Sequence, residues 1–163
     1  MQANDVIAIY GMGCYYREGT RGFPQDMDKA LELYHRAGQL GYAEAYCSIG
    51  TAYCKGVGVE VDLKKANHYY ELGAIGGDVY ARSNLGIFER DEGNMDRALK
   101  HYMIAVRGGH NESLNMIKEL YGYGHATKDD YMKALKLYQV YLGEIKSDQR
   151  DKAAAAHDED RYY

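Results

Sequence analysis

The 163-residue chain is 46% hydrophobic, too apolar for a wholly disordered protein. Its net charge of −4 comes from 20 Lys and Arg interspersed among 24 Asp and Glu, which excludes the clustered basic footprint of a nucleic-acid binder. No apolar run approaches the roughly 20 residues that span a bilayer, and Met1-Gln2-Ala3-Asn4-Asp5 lacks the basic start and apolar core of a signal peptide.

The first element, in a unit spanning residues 5–42, carries Ala8, Met12, Gly13 and Tyr16, an i, i+4, i+5, i+8 spacing that lines one face of a helix. A loop follows from Glu18 to Gln25, after which Asp26 is placed to accept the free N–H groups of a second helix as its N-cap. That helix bears Ala30, then Tyr34 four residues on and Ala37 three beyond it, and Gly41 stops it.

The same columns return in residues 43–78 as Ala45, Ile49, Gly50 and Tyr53, a loop from Lys55 to Val61, then Asp62, Ala66, Tyr70, Gly73 and Gly77. In residues 79–110 they are Ala81, Leu85 and Gly86, with Glu89 in the tyrosine's place, then Asn94, Ala98, Tyr102, Ala105 and Gly109. Residues 111–146 keep Ser113, Ile117 and Tyr121, then Asp130, Ala134 and Tyr138. There Lys118 replaces the first-helix glycine, Tyr141 the small residue and Ile145 the stopping glycine, as expected of a terminal unit with no successor to pack against.

The second-helix alanines are 36, 32 and 36 residues apart, and the four-residue shortening falls in the loop between Gly86 and Asn94, where deletions cost little. A glycine held in the first helix of three units costs about 1 kcal/mol against alanine each time, which predicts that a neighbouring helix touches backbone there. Residues 147–163 are polar and alanine-rich. Asp148 to His157 favour helix, as an extension or a short capping element, with fraying expected beyond. A fixed period in the thirties with no alternating segment predicts an all-α solenoid of four helix–loop–helix hairpins over residues 1–146.

The register of Ala45, Ile49, Gly50, Tyr53, Gly56, Gly58, Val59, Asp62, Lys65, Ala66, Tyr70, Gly73 and Gly77 resembles the Sel-1-like repeat, a relative of the tetratricopeptide repeat with a longer intrahelical loop. The resemblance covers residues 8 to 142. It implies a tetratricopeptide-like right-handed superhelix acting as a protein–protein interaction module, an adaptor without catalysis or cofactor. The alternative is a structural or dimerising segment of a larger protein.

Cys47 and Cys54 share a helix face and Cys14 lies in the equivalent helix before them, but neither a Cys-x-x-Cys nor a His-x-x-x-His spacing exists. Packing as small apolar groups is the expected role of these cysteines. Their odd number, without disulfide-framework spacing, favours a reducing compartment, with a cytoplasmic or nuclear protein as the expectation. Gly11-Met12-Gly13 follows no strand and lacks a third glycine, so it is no dinucleotide fingerprint. The 18 tyrosines, against 2 Phe and no Trp, suit cores close to the surface, where the ring fills space and the hydroxyl reaches water or a polar partner.

The resemblance also maps a concave groove onto first-helix positions not used for packing. They are Tyr10, Cys14 and Arg17; Cys47, Thr51 and Lys55; Ser83, Ile87 and Arg90; then Asn115 and Glu119. Arg17, Lys55 and Arg90 place one cation per unit, a ladder suited to an acidic peptide through charge-assisted hydrogen bonds. Ordinary solvated charges are the competing explanation.

Overall fold

Five helices of this chain, the second, fourth, fifth, seventh and eighth in chain order, begin where a side-chain oxygen or nitrogen takes up a free N–H of the first turn, and most helices end at or next to a glycine. The structure, a computed structural model, describes residues 3–159; of the stretch from Asp158 to Tyr163 expected to fray, Asp158 and Glu159 belong to the last helix and the rest lies outside the described residues. Among the described residues there are eight helices and no strand: α1 (Ala3–Glu18), α2 (Met27–Gln39), α3 (Ala43–Lys55), α4 (Leu63–Ile75), α5 (Val79–Asp91), α6 (Met95–Arg107), α7 (Asn111–Gly122) and α8 (Lys128–Glu159). They pair as four hairpins.

Asp26 and Asp62 cap α2 and α4, accepting the Lys29 and Lys65 amides at 3.0 Å. Asn94 holds the corresponding position without a cap bond; its amide donates to Glu89 at 2.9 Å. Asp130 is not the N-cap expected of it. Thr127 is: its hydroxyl accepts the Asp130 amide at 3.1 Å, while the Asp130 carboxylate accepts the Thr127 N–H at 3.0 Å and its O–H at 2.6 Å. This reciprocal box starts α8 at Lys128, three residues earlier than an Asp130 cap would, and the same bonds hold the Asp130 carboxyl below the usual carboxylate range.

Inside each of the first three hairpins, the first-helix glycine receives the second-helix tyrosine. A Cβ on Gly13 would lie 2.7 Å from the Tyr34 ring, one on Gly50 2.8 Å from Tyr70, and one on Gly86 2.5 Å from Tyr102. The rings are correspondingly sealed, Tyr34 and Tyr102 at 0% exposure and Tyr70 at 3%. The fourth unit has Lys118 at the glycine position and its Tyr138 is only partly buried, stacking on Tyr141 at 6.3 Å.

Between units, substantial helix contacts run only to the next helix in sequence or, for α3 with α5 and α6 with α8, to the next but one. Three core clusters follow along the stack, centred on Tyr34 and Ile49, on Tyr70 and Leu85, and on Tyr102 and Ile117. Gly41, Gly77 and Gly109 take φ of 96°, 92° and 90° at the ends of α2, α4 and α6, a turn that Ile145 does not favour. The last helix accordingly runs on through Ser147 to Glu159. Among the described residues no helix is long and apolar enough to cross a membrane.

Two substitutions test the glycine–tyrosine pairing. Tyr70→Ala should cost roughly 3–5 kcal/mol in urea unfolding, as for other buried aromatic truncations, and Tyr138→Ala should cost less; equal losses would contradict the pairing. Gly50→Ala should destabilise by about 1–3 kcal/mol through overpacking, against the gain of about 1 kcal/mol that alanine brings to an unhindered helix position.

Candidate functional site

The first helices leave an open hollow of about 580 Å3 where α1, α3 and α5 meet. Its wall brings together Arg17 of α1, Cys47, Thr51 and Lys55 of α3, and Ile87 of α5, five of the positions expected on the partner face. The Thr51 hydroxyl donates to the Cys47 carbonyl at 2.9 Å and lies 3.3 Å from the Tyr70 hydroxyl, which fixes the floor. Cys47 is 8% exposed, and burial pushes its thiol well above the ordinary value, so it packs rather than reacts. Glu44 is the one carboxylate on the wall, and it accepts the hydroxyls of Tyr10 at 3.1 Å and Tyr42 at 2.9 Å.

The remaining candidates lie elsewhere. Tyr10 packs between units, its ring 5.3 Å from Tyr34 and 4.8 Å from Tyr42. Cys14 sits under the Tyr34 hydroxyl at 3.5 Å. Ser83 is buried, because α7 crosses α5 there and the Ser113 hydroxyl donates to it at 2.9 Å. Asn115 is exposed on α7 and lines no hollow with the others. Arg90 and Glu119 share a separate hollow of about 420 Å3 with Met95, Met116 and Tyr123.

The expected cation ladder is therefore interrupted. Arg17 is ion-paired with Glu18 at 2.6 Å and Arg90 with Asp91 at 2.9 Å, each an immediate neighbour on its helix. Arg90 also reaches the Met116 sulfur at 3.6 Å. Exposed pairs of this kind hold geometry more than energy. Lys55, by contrast, has no ion-pair partner among the described residues. The wall counts Arg17 and Lys55 against Glu44, and with Arg17 already paired to Glu18 it is Lys55 that stands there without a carboxylate partner.

Residues 6–42, 43–78 and 119–139 match the Sel1 repeat. The chain belongs to the Sel1 repeat family. The matched segments omit the third hairpin, the one with the shortened loop. In the solved structure of a Sel1 repeat protein from Oxalobacter formigenes, 86% of this chain and 59% of that one superpose with a TM-score of 0.74 at 30% identity. A protective antigen of uropathogenic Escherichia coli with an SLR fold gives a TM-score of 0.69 at 26% identity, over 85% of this chain and 30% of the other. Among curated proteins, similarity extends to an ERAD-associated E3 ubiquitin-protein ligase component, HRD3B, of Arabidopsis thaliana, 27% identical over 61% of this chain and 16% of that protein. Chitin synthase regulatory factor 4 of Schizosaccharomyces pombe is 28% identical over 65% of this chain and 17% of its own length. The chain thus spans about one sixth of the length of these curated relatives. Sel1 repeats are in general protein-interaction modules, and their solenoid fold is typically non-catalytic.

One polar cluster escaped the sequence reading. His110 caps α7 by accepting the Ser113 amide on Nδ1 at 3.2 Å, the Ser113 hydroxyl lies 2.9 Å from the same nitrogen, and Ser83 completes the chain from α5. The Tyr80 ring closes over the imidazole edge-on at 4.9 Å. With Ser113 at 0% exposure and Ser83 at 5%, this network is sealed from substrates and ties the third unit to the fourth. The signal was present as His-x-x-Ser, the spacing at which a cap reaches the third amide.

Burial holds the His110 imidazole below the usual histidine value, against the opposing pull of Glu112 and Asp78. A folded-state value lower than the unfolded one of about 6.5 means that the contribution is complete above that pH and is lost as pH falls below it. Burial lowers His35 and His101 in the same direction, so the acid sensitivity is shared. The Tm of the native chain should fall between about pH 7 and pH 5. His110→Asn, which keeps a capping acceptor without a titrating ring, should show a smaller fall over the same range; an identical fall would remove His110 as a contributor.

Proposed function

We propose that the chain is an adaptor that takes an extended or helical segment of another protein on its first-helix face, in the hollow walled by Arg17, Cys47, Thr51, Lys55 and Ile87. The observation that carries this reading is Lys55, without an ion-pair partner among the described residues, at the rim of a preformed and largely apolar hollow. A cation without an intrachain partner loses no existing contact when a carboxylate approaches, and a low-dielectric floor strengthens the pair that forms. The preferred partner is accordingly an acidic segment with one apolar anchor, seated over Thr51 and Ile87. The reading involves no catalysis and no cofactor. Among the described residues, no group of three or more His, Cys, Asp or Glu is arranged to hold a metal ion.

Affinity capture from the native cell, followed by binding of the purified partner, tests the proposal. Arg17→Glu with Lys55→Glu should abolish capture and leave the helical signal intact, since exposed substitutions usually change stability by less than about 0.5 kcal/mol. Arg90→Glu, in the other hollow, should leave capture unchanged, and added salt should weaken the wild-type complex. Capture that survives the double reversal would move the binding surface elsewhere. A tight homodimer in light scattering with no captured partner would favour a structural segment.

A further inference from the structure

The junction between the second and third hairpins is built differently from the junctions on either side. Where the second hairpin meets the first, Tyr69 fills the gap, stacking on Tyr53 at 5.8 Å and on Tyr46 at 6.4 Å with His35 edge-on at 5.3 Å. Where the fourth meets the third, the gap is filled by Leu114, Leu137 and Met103. In the third hairpin the residues at the positions of Tyr46, Tyr53 and Tyr69 are Arg82, Glu89 and His101, and Glu71 takes the place of His35. An aromatic plug has become a charged lining.

A second departure coincides with the first. The connection between the two helices is seven residues in the second hairpin, 56–62, and three in the third, 92–94. The longer loop folds back over the start of α2, so that a Cβ on Gly58 would collide with the Met27 side chain. Leu63, which occupies the Met27 position of α4, has no such cover and is 53% exposed; Ile75 at the far end of α4 is 81% exposed. Between them a cleft of about 710 Å3 opens along α4 with α5 as its floor and His101 of α6 at its side.

The chemistry of the lining is specific. Leu85 and Phe88 give an apolar base, lined by four carboxylates and by the cations Lys64 and Arg82. Asp91 is paired with Arg90 at 2.9 Å and Glu89 with Arg97 at 3.5 Å, which leaves Glu71 and Glu92 as the two lining carboxylates without an ion pair among the described residues. Arg82 is committed to the Ala74 carbonyl at 2.9 Å. His101 Nδ1 is buried without a hydrogen-bond partner among the described residues, a cost that a donor reaching it would remove. We propose that this cleft is a second binding site, for a protein segment that presents arginine or lysine flanked by apolar side chains. The apolar flanks sit between Leu63 and Ile75, the cation meets Glu71 and Glu92 at the rim, and one of its N–H groups points at His101. Burial and the nearby Arg82 hold the imidazole below the usual histidine value, against the opposing pull of Glu89, which favours the neutral form that can accept. This surface is separate from the hollow on the first helices, and its lining holds four carboxylates and two cations where that hollow holds one carboxylate and two cations.

The test uses the full chain and two fluorescein-labelled nine-residue peptides, one alternating arginine with leucine, the other alternating glutamate with leucine. The arginine peptide should bind saturably in fluorescence anisotropy, with NMR shifts at Arg82, Glu89 and His101, and the glutamate peptide should not produce those shifts. Glu71→Gln with Glu92→Gln should weaken the arginine peptide by about fivefold or more. The charge-matched pair Glu32→Gln and Glu144→Gln, on α2 and α8 and outside the cleft lining, should change it less than about twofold. Restoring the plug with Arg82→Tyr, Glu89→Tyr and His101→Tyr should abolish binding; if that variant does not fold, the two carboxylate pairs still decide. Equal weakening by both carboxylate pairs would reduce the effect to net charge and overturn the site. So would shifts centred on Lys55, or no binding of the arginine peptide at millimolar concentration.

Discussion

A tyrosine ring laid on a glycine backbone sets the separation of the two helices in each internal hairpin, and the rest of the array depends on that distance. With no Cβ at Gly13, Gly50 or Gly86, the rings of Tyr34, Tyr70 and Tyr102 close to van der Waals contact with the opposite main chain. This lets Ala30, Ala66 and Ala98 disappear completely from solvent one turn earlier. Thin interhelical layers of this kind need small residues and large flat ones in strict alternation, which explains why a chain with 18 tyrosines has so few other aromatics. The hydroxyl is the part the thin core cannot absorb. Tyr34 gives it to the Cys14 sulfur and Tyr70 to Thr51, whereas the Tyr102 hydroxyl has no partner within the fold. The third hairpin is less well satisfied than its neighbours even at its centre.

Repetition made the fold legible. A column that recurs at Ala30, Ala66, Ala98 and Ala134 is an internal alignment, and helix stops at Gly41, Gly77 and Gly109 follow from the one residue type that favours a positive φ. The misplaced features are those in which one polar side chain competes with another. Asp130 and Thr127 both suit an N-cap, and only the reciprocal bonds decide between them. The last helix was open to two readings after Ser147, and the continuous course of α8 follows from Ile145 standing where a glycine would have turned the chain.

The partner face was less legible, for a tertiary reason. Periodicity identifies which residues leave the hairpin's own core, but it does not say which of them the next hairpin covers. Ser83 leaves its own hairpin and is then buried by α7; Cys47 is covered by α5 through Asn84 and Leu85. Charge is misread similarly. Arg17 and Arg90 recur at matching positions and look like a ladder, yet each is followed by an acid that pairs with it. Lys55 is followed by Gly56, the left-handed residue ending α3, and so meets no acid there.

A linear stack contains the damage of a local departure, because each hairpin is stabilised only through its neighbours. That tolerance is what allows the third hairpin to shorten its connection and exchange three ring-bearing positions for Arg82, Glu89 and His101 without loss of the tyrosine–glycine contact beneath them. Charged side chains at an inter-unit joint are poor glue, since their desolvation offsets most of what their pairing returns. Stability alone would favour the aromatic filling seen one unit earlier. A joint left open, polar and uncovered in the middle of an otherwise apolar series is better explained by what it admits than by what it holds together.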